Sequence, residues 1–313
     1  MTNIEGSFHG FLGQNHIVRS LKEHCTGALS KGDPLPHILL MGESGFGKTH
    51  LATAVAAEMG TTCHTFFASP QTKRWQLASD LSRVQKGDCF YIDEIHALLD
   101  SVQECLYPAL DTWRVPVVDN DTHRIIENEW ITVPAFTLIC SSDQSGKLKN
   151  ALRQRLVLRY TLTDYSEEEM RYIVNSRASS LNVLLSPQAA RRIAQAARGV
   201  PRRAKHILHS LHTCMEDPAI VVTKPMAQRH LFSIGIDDAN FTPTDNAYVG
   251  VLARRGGFVS LQTIALQLGL DEMSLKRDVE AYLLKRELLS VDSRGRCLSS
   301  KGIAFAVERG LTK

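Results

Sequence analysis

The residues Gly42-Glu43-Ser44-Gly45-Phe46-Gly47-Lys48-Thr49 fit the pattern G-x-x-x-x-G-K-T, and His50 follows them. Glycines at 42, 45 and 47 let the backbone curl until its N–H groups point inward, which suits phosphate oxygens. A lysine at the rim can bridge the β- and γ-phosphates of a nucleotide, and a hydroxyl beside it can ligate Mg²⁺. Lys48 and Thr49 are expected in those roles, with Gly42, Gly45, Phe46, Gly47 and His50 completing the cradle. A second chemical group closes the run Cys89-Phe90-Tyr91-Ile92-Asp93-Glu94. Asp93 is expected to hold Mg²⁺, directly or through water, and Glu94 to polarise an attacking water as general base. An apolar run ending in two acids means little alone. Some 45 residues after a phosphate loop, it predicts hydrolysis of a nucleotide.

These groups need a scaffold. Residues 38–41 are short, β-branched and apolar, as a buried parallel strand requires. Residues 48–58 are rich in alanine and helix-forming. Strand, glycine-rich loop and helix is the order that turns a helix N-terminus toward an anion. Acids at a strand end border the crevice where ligands bind in open α/β sheets. Residues 137–143, TLICSSD, read as a third apolar strand ending in polar residues, so a polar residue there is placed to sense a γ-phosphate. The segment LKNALRQRL, 148–156, ends in Arg153 and Arg155. In ring-forming ATPases such an arginine reaches a neighbour's γ-phosphate; on spacing alone a pair of surface arginines is the equal alternative.

The rest of the chain reads as helices and a hairpin. Ser186-Pro187 is an N-cap followed by a first-turn proline. It opens a helix at 187–197 with Ala190, Ile193, Ala194 and Ala197 on one face. Gly199-Val200-Pro201 ends it, and another helix starts near Arg202-Arg203, giving a small helical domain over about 165–235. Arg202 either touches the nucleotide or caps a surface turn. Helices are expected at 243–255, 259–268 and 271–288, with Gly269 turning the chain. Leu289-Ser290-Val291 and Cys297-Leu298-Ser299 flank a turn at 292–296. Helices followed by such a hairpin form the winged-helix pattern. Lys276, Arg277, Lys285, Arg286, Arg294 and Arg296 would then meet DNA phosphates, contacts that position without reading sequence. Winged helices also bind proteins, and charges on a helix also serve to solvate it.

Composition limits the classes. The chain has 313 residues, 43% hydrophobic, with a formal net charge of +3. That is enough for two or three domains with a sizeable core. The seven cysteines form no CxxC pair and no metal spacing, which predicts small core residues in a reducing cytoplasm. No run has membrane-spanning length, and MTNIEGSFHG lacks the basic and apolar regions of a secretory leader. From Lys147 to Lys205 there are 13 Lys/Arg against 4 Asp/Glu, either an anion-facing surface or a solvated helical face.

The chain resembles the RuvB family, AAA+ motors that drive Holliday-junction branch migration. The resemblance rests on FLGQ at 11–14, GESGFGKTHLA from 42 and FYIDEIHAL at 90–98. It continues with QECLYPALDTWRVPVV at 103–118, VPAFTLIC at 133–140 and LRQRL at 152–156. RGVPRRAKHIL at 198–208 and VEAYLLKRELLSVDSRGR at 279–296 carry it to the C-terminal region. It implies an α/β AAA+ P-loop core with a parallel sheet at 1–164, an all-α lid at 165–238 and a winged-helix domain at 239–313. It implies ATP and Mg²⁺ as cofactors, Ser142 or Asp143 in the first-sensor place, Arg153 as the finger acting in trans, Arg202 as the second sensor, and a homo-oligomeric ring, a hexamer, on duplex or junction DNA. An inserted hairpin over about 114–133 resembles the element that docks the junction-binding partner RuvA. An adaptor or loader that recruits a protein to DNA without translocation is the alternative. A non-enzymatic winged-helix regulator is a third reading, against which Lys48, Asp93 and Glu94 stand.

Departures from the family pattern accompany the match. The phosphate loop reads Glu43-Ser44 where the family has two prolines. The sensor strand ends in SSD where the family has a threonine pair. A carboxylate at Asp143 repels a γ-phosphate unless Lys, Arg or Mg²⁺ pairs with it. The arm that contacts adenine is missing or replaced by MTNIEGSFHG. The hairpin centre, Asp119-Asn120-Asp121-Thr122-His123-Arg124, is polar and charged enough to fit another client.

Overall fold

The computed structural model of the chain describes residues 8–119 and 121–312. Residues 1–7 of the N-terminal segment and Asn120 of the hairpin centre lie outside the described residues. The chain packs as two compact units. One runs to Ile173 and takes in Gly199–Arg203; the other holds Val174–Arg198 and the chain from Ala204 onward.

The first unit is built on strands β1 (Ile38–Met41), β2 (Cys63–Phe67), β3 (Cys89–Asp93), β6 (Thr137–Ser142) and β7 (Leu158–Thr161). They form one sheet in the order β2-β3-β6-β1-β7, and every pair is parallel. A parallel sheet covered on both faces needs continuous apolar strands, and β6 is buried at all six positions. Leu39, Phe90, Ile92, Leu138 and Cys140 fill one cluster with Leu77, Leu81, Leu106 and Phe136. The helix Lys48–Met59 buries Leu51, Ala52, Ala54, Val55, Ala56 and Met59, and its small side chains suit close packing. Cys25, Cys89, Cys105 and Cys140 are buried as small core residues, whereas Cys214 is exposed.

Between β3 and β6 the chain inserts an antiparallel hairpin, β4 (Arg114–Asp119) and β5 (Arg124–Thr132). Val115 anchors it in the core, and β5 is exposed along almost its whole length. Pro116 lacks a ladder donor, and the register shifts between Pro116 and Val118. His123 at the tip stacks on Trp75, ring centroids 4.6 Å apart.

In the second unit the helix Pro187–Ala196 starts where the sequence places it, with the Ser186 hydroxyl accepting from the Ala189 N–H. Next come Pro201–Thr213, which begins in the first unit, and Lys224–Ser233. The C-terminal part holds Pro243–Arg255, Leu261–Leu268, a helix over 272–285 with a π-wound turn at Leu275–Glu280, the wing strands β8 (Leu289–Asp292) and β9 (Gly295–Leu298), and Ser300–Glu308. The second helix is shorter than expected because Val259 pairs with Arg296 through backbone hydrogen bonds of 2.8 Å in both directions. The third ends at Lys285 rather than Leu288: Glu287 is in the left-handed region and the Leu288 N–H reaches back to Leu283 O. The wing turn is tighter than the five residues expected. Asp292 pairs with Gly295, leaving Ser293-Arg294 between them.

A buried ion pair joins the helical part of this unit to the winged helix. The Arg198 and Asp245 side chains are 3% and 1% exposed. The Arg198 guanidinium also donates to Asn240 O and lies 3.6 Å from the centre of the Tyr282 ring. Asp245 doubles as a cap, accepting from the Thr242 N–H at 2.7 Å. Removing one partner strands a charge in a low-dielectric interior. Asp245→Ala is expected to cost about 3–5 kcal/mol in urea unfolding, with Arg198→Met/Asp245→Leu recovering part of that loss.

Candidate nucleotide site

The strand order brings three loops to one sheet edge. β1 leads into the phosphate loop, β3 ends in Asp93 and Glu94, and β6 between them ends in Ser141 and Ser142. The Gly42 N–H donates to Ser142 O at 3.2 Å, which ties the first loop to the third. Gly42 and Gly45 have φ of 138° and 93°, and each lacks room for a side chain. A Cβ at 42 would meet Leu162 O at 2.8 Å, and one at 45 would meet Arg202 Cβ at 2.7 Å. The backbone can therefore approach a phosphate only with glycine at both. Phe46 is buried, its carbonyl accepting from the Tyr165 hydroxyl at 2.8 Å. His50 packs against Phe11, ring centroids 5.4 Å apart.

Lys48 is only 5% exposed. Its ammonium donates to Gly42 O at 2.7 Å and Glu43 O at 3.1 Å, and lies 3.9 Å from Glu94 Oε1. Burial holds its pKa below the usual lysine value, while Glu94, Asp143 and Asp93 oppose that shift. A cation desolvated this far, beside a glycine loop that excludes side chains, fits the phosphates of a nucleotide.

The expected Mg²⁺ residues share one hydrogen-bonded chain. Asp93 Oδ1 accepts from the Tyr91 hydroxyl at 2.7 Å and from the Ser141 hydroxyl at 2.6 Å. The Tyr91 hydroxyl is also 3.2 Å from Thr49 Oγ1. All the donor atoms are hard oxygens, so the set fits Mg²⁺. Burial and the neighbouring Asp93 carboxylate raise the Tyr91 pKa, so the phenol keeps its proton to give. Ser141 also accepts from the Glu94 N–H at 3.0 Å. Glu94 sits at φ 54°, a left-handed value that non-glycine residues rarely adopt and that concentrates at functional sites.

Of the other expected residues, Ser142 is fully buried, and Asp143 is partly exposed beside His96. Arg202 donates to the Ser44 hydroxyl at 2.7 Å, and its N–H reaches Gly45 O at 3.3 Å, so it stands on the phosphate loop. Arg153 and Arg155 lie on the helix Asn150–Arg155. Arg155 pairs with Asp111 and stacks over Tyr107. On the winged helix, Lys276, Arg277, Lys285, Arg286 and Arg294 are exposed. Arg294 pairs with Asp292 at 2.8 Å and covers the Phe258 ring at 3.8 Å. Arg296 differs: it turns inward to Glu280, a residue that also takes the Tyr248 hydroxyl bond. Tyr91 and His96 carry no sequence signal of their own for a place at this edge, and Ser141 is one of several polar residues that end β6. Tyr91 lies two residues before Asp93 on one strand, and side chains at that spacing share a face.

A phosphate loop and acid pair on a parallel sheet, followed by a helical lid and a winged helix, define an AAA+ P-loop ATPase with a C-terminal winged-helix domain. Residues 5–162 match the family model described as the Holliday junction DNA helicase RuvB P-loop domain, 165–237 the RuvB AAA lid domain, and 239–306 the RuvB C-terminal winged helix domain. The chain belongs to the RuvB family. It is 31% identical over 297 residues to the Holliday junction branch migration complex subunit RuvB of Campylobacter jejuni (strain RM1221), covering 94% of this chain and 88% of the relative. The same subunit from Anaplasma marginale (strain Florida) is 30% identical, covering 94% and 89%. The Thermotoga maritima RuvB Holliday junction branch migration motor superposes with a TM-score of 0.83 at 28% identity, over 96% of this chain and 97% of that one.

The Tyr91 bridge carries a prediction. Tyr91→Phe removes the hydroxyl that links Thr49 and Asp93 and keeps the ring. The Mg²⁺ concentration for half-maximal ATP hydrolysis is expected to rise about tenfold, as when a group supporting a metal ligand is lost, with thermal unfolding little changed.

Proposed function

We propose that this protein is an ATP-driven motor subunit that moves duplex DNA at recombination junctions. The observation that carries the reading is the meeting of the buried Lys48 ammonium with Glu94, 3.9 Å away at the end of β3, in a chain that matches the family along nearly its full length. Lys48 holds the β- and γ-phosphates; Thr49 and Asp93 hold Mg²⁺. When bound, the ion neutralises charge on the phosphate oxygens. Glu94 orients the attacking water and takes its proton. Arg153 reaches the γ-phosphate bound by a neighbouring subunit, so turnover needs a ring, which we take to be a hexamer. Arg202 passes the state of the phosphate loop to the helix it opens, and the lid and winged helix shift the DNA.

The five exposed cations of the winged helix support phosphate contact, and Arg296 serves to fix the wing. The hairpin, with Trp130, Ile126 and Ile131 exposed, docks a junction-binding partner resembling RuvA. Among the described residues no helix is long and apolar enough to cross a membrane, and we place the protein in the cytoplasm. The carboxylate at 143 favours the loader as a second reading, in which ATP binding assembles the ring without processive movement. Displacement of a third strand from duplex DNA that occurs only with hydrolysable ATP supports the motor; its absence beside normal turnover supports the loader.

Steady-state ATP hydrolysis, with and without junction and linear DNA, tests the reading. Glu94→Gln is expected to abolish turnover, and DNA to stimulate the wild type. Lys48→Ala is expected to abolish nucleotide binding, whereas Arg153→Ala spares binding and stops turnover. Normal turnover in Arg153→Ala removes that arginine from the mechanism.

A further inference from the structure

His96 stands in the 3₁₀ turn Ile95–Ala97 that follows the acid pair. Its side chain is 12% exposed and meets a carboxylate at each nitrogen. Nδ1 lies 3.2 Å from Glu94 Oε2, and Nε2 lies 3.5 Å from Asp143 Oδ1. The Ser142 hydroxyl is 3.2 Å from Nδ1, and Gln144 Nε2 is 3.3 Å from the ring's Nε2. Glu94, His96 and Asp143 bring potential ligand atoms within 4.8 Å of one another. The arrangement is nonetheless poor for a metal ion. An imidazole offers a metal one nitrogen, and here the two carboxylates attend different nitrogens. With the Ser142 hydroxyl at Nδ1, the ring can instead donate from Nε2.

Asp143 is the residue that sets this chain apart at the end of β6. It directly follows Ser142, whose carbonyl is bonded to the first glycine of the phosphate loop. Its charge reaches the Lys48 ammonium, as do those of Glu94 and Asp93. A bare carboxylate there opposes a third phosphate and is indifferent to a nucleotide that ends at the second. Lys48 cannot serve as its counter-charge, because that cation is needed by the phosphates. The His96 ring stands 3.5 Å from the Asp143 carboxylate and can take that part.

We propose that His96 is a positioning residue that makes Asp143 compatible with a triphosphate, by donating to Asp143 from Nε2 while Nδ1 is set against the Ser142 hydroxyl. The imidazole thus ties the carboxylate beside the γ-phosphate to Ser142, the residue bonded to the phosphate loop. The inference rests on the ATPase reading above.

The test is direct binding, with Mg²⁺, of fluorescent ADP and of a fluorescent non-hydrolysable ATP analogue. It compares the wild type with His96→Gln, Asp143→Asn and the double variant. His96→Gln is expected to weaken the analogue about tenfold, the scale of one lost charge-assisted hydrogen bond, and to change ADP affinity less than about twofold. Adding Asp143→Asn is expected to restore most of the analogue affinity, because the charge needing a partner is gone. Equal weakening of both nucleotides in His96→Gln overturns the proposal in favour of a structural role. A loss that persists undiminished in the double variant also overturns it, since His96 then acts without Asp143. A wild type that binds neither nucleotide overturns the ATPase reading itself.

Discussion

The chemistry of this protein depends on one piece of strand pairing, the insertion of β6 between β1 and β3. Parallel hydrogen bonds run from β6 to β1 on one side and to β3 on the other. That pairing puts the phosphate loop, the acid pair and the polar end of β6 at a single edge, although each lies about 50 residues from the next along the chain. The edge tolerates no slack. Gly42 is bonded to Ser142, and Ser141 is bonded to both Asp93 and Glu94. The hydroxyls of Ser141 and Tyr91 therefore hold the Asp93 carboxylate in place at this edge. Groups fixed before the reaction need no reorganisation during it.

The second unit is organised by different physics. Beside an apolar cluster around Tyr248, Leu252 and Leu283, a buried cation, Arg198, connects its helices to the winged helix through Asp245, Asn240 and Tyr282. Arg198 takes a left-handed conformation at φ 56°, just after the helix Pro187–Ala196. Such a pair contributes less net stability than an apolar contact of the same size, but it fixes geometry narrowly. Arg192 and Arg309 add further bonds to Asn240 and Asp237 in the same region.

Much of this was legible in the sequence because the signals were local. The pattern from Gly42 to Thr49 and the apolar run ending in Asp93-Glu94 marked two segments that the fold brings to one edge, and Ser186-Pro187 and Gly269 marked helix ends. What escaped was what depends on distant pairing. His96 looked like an ordinary residue after two acids, since its meaning comes from Asp143, 47 residues later. Tyr91 read as one more apolar strand position, because an aromatic ring serves a core and its hydroxyl is silent in a hydropathy pattern. Arg296 read as one more wing cation, and only the fold shows Glu280 beneath it. Val259 looked helical until its backbone paired with the wing.

The bulge at Pro116 has a bearing on how copies of this chain meet. In the two-stranded ribbon β4–β5, the exposed β5 presents an edge able to recruit another strand. β5 carries exposed Trp130 and Ile131 along such an edge, a composition that invites uncontrolled sheet growth. The proline removes one donor from β4, and the shifted register twists the ribbon locally. Glu127 and Glu129 add like charges along β5, which repel a second copy in register. The ribbon thus keeps its apolar side chains available for recognition while its backbone resists polymerisation.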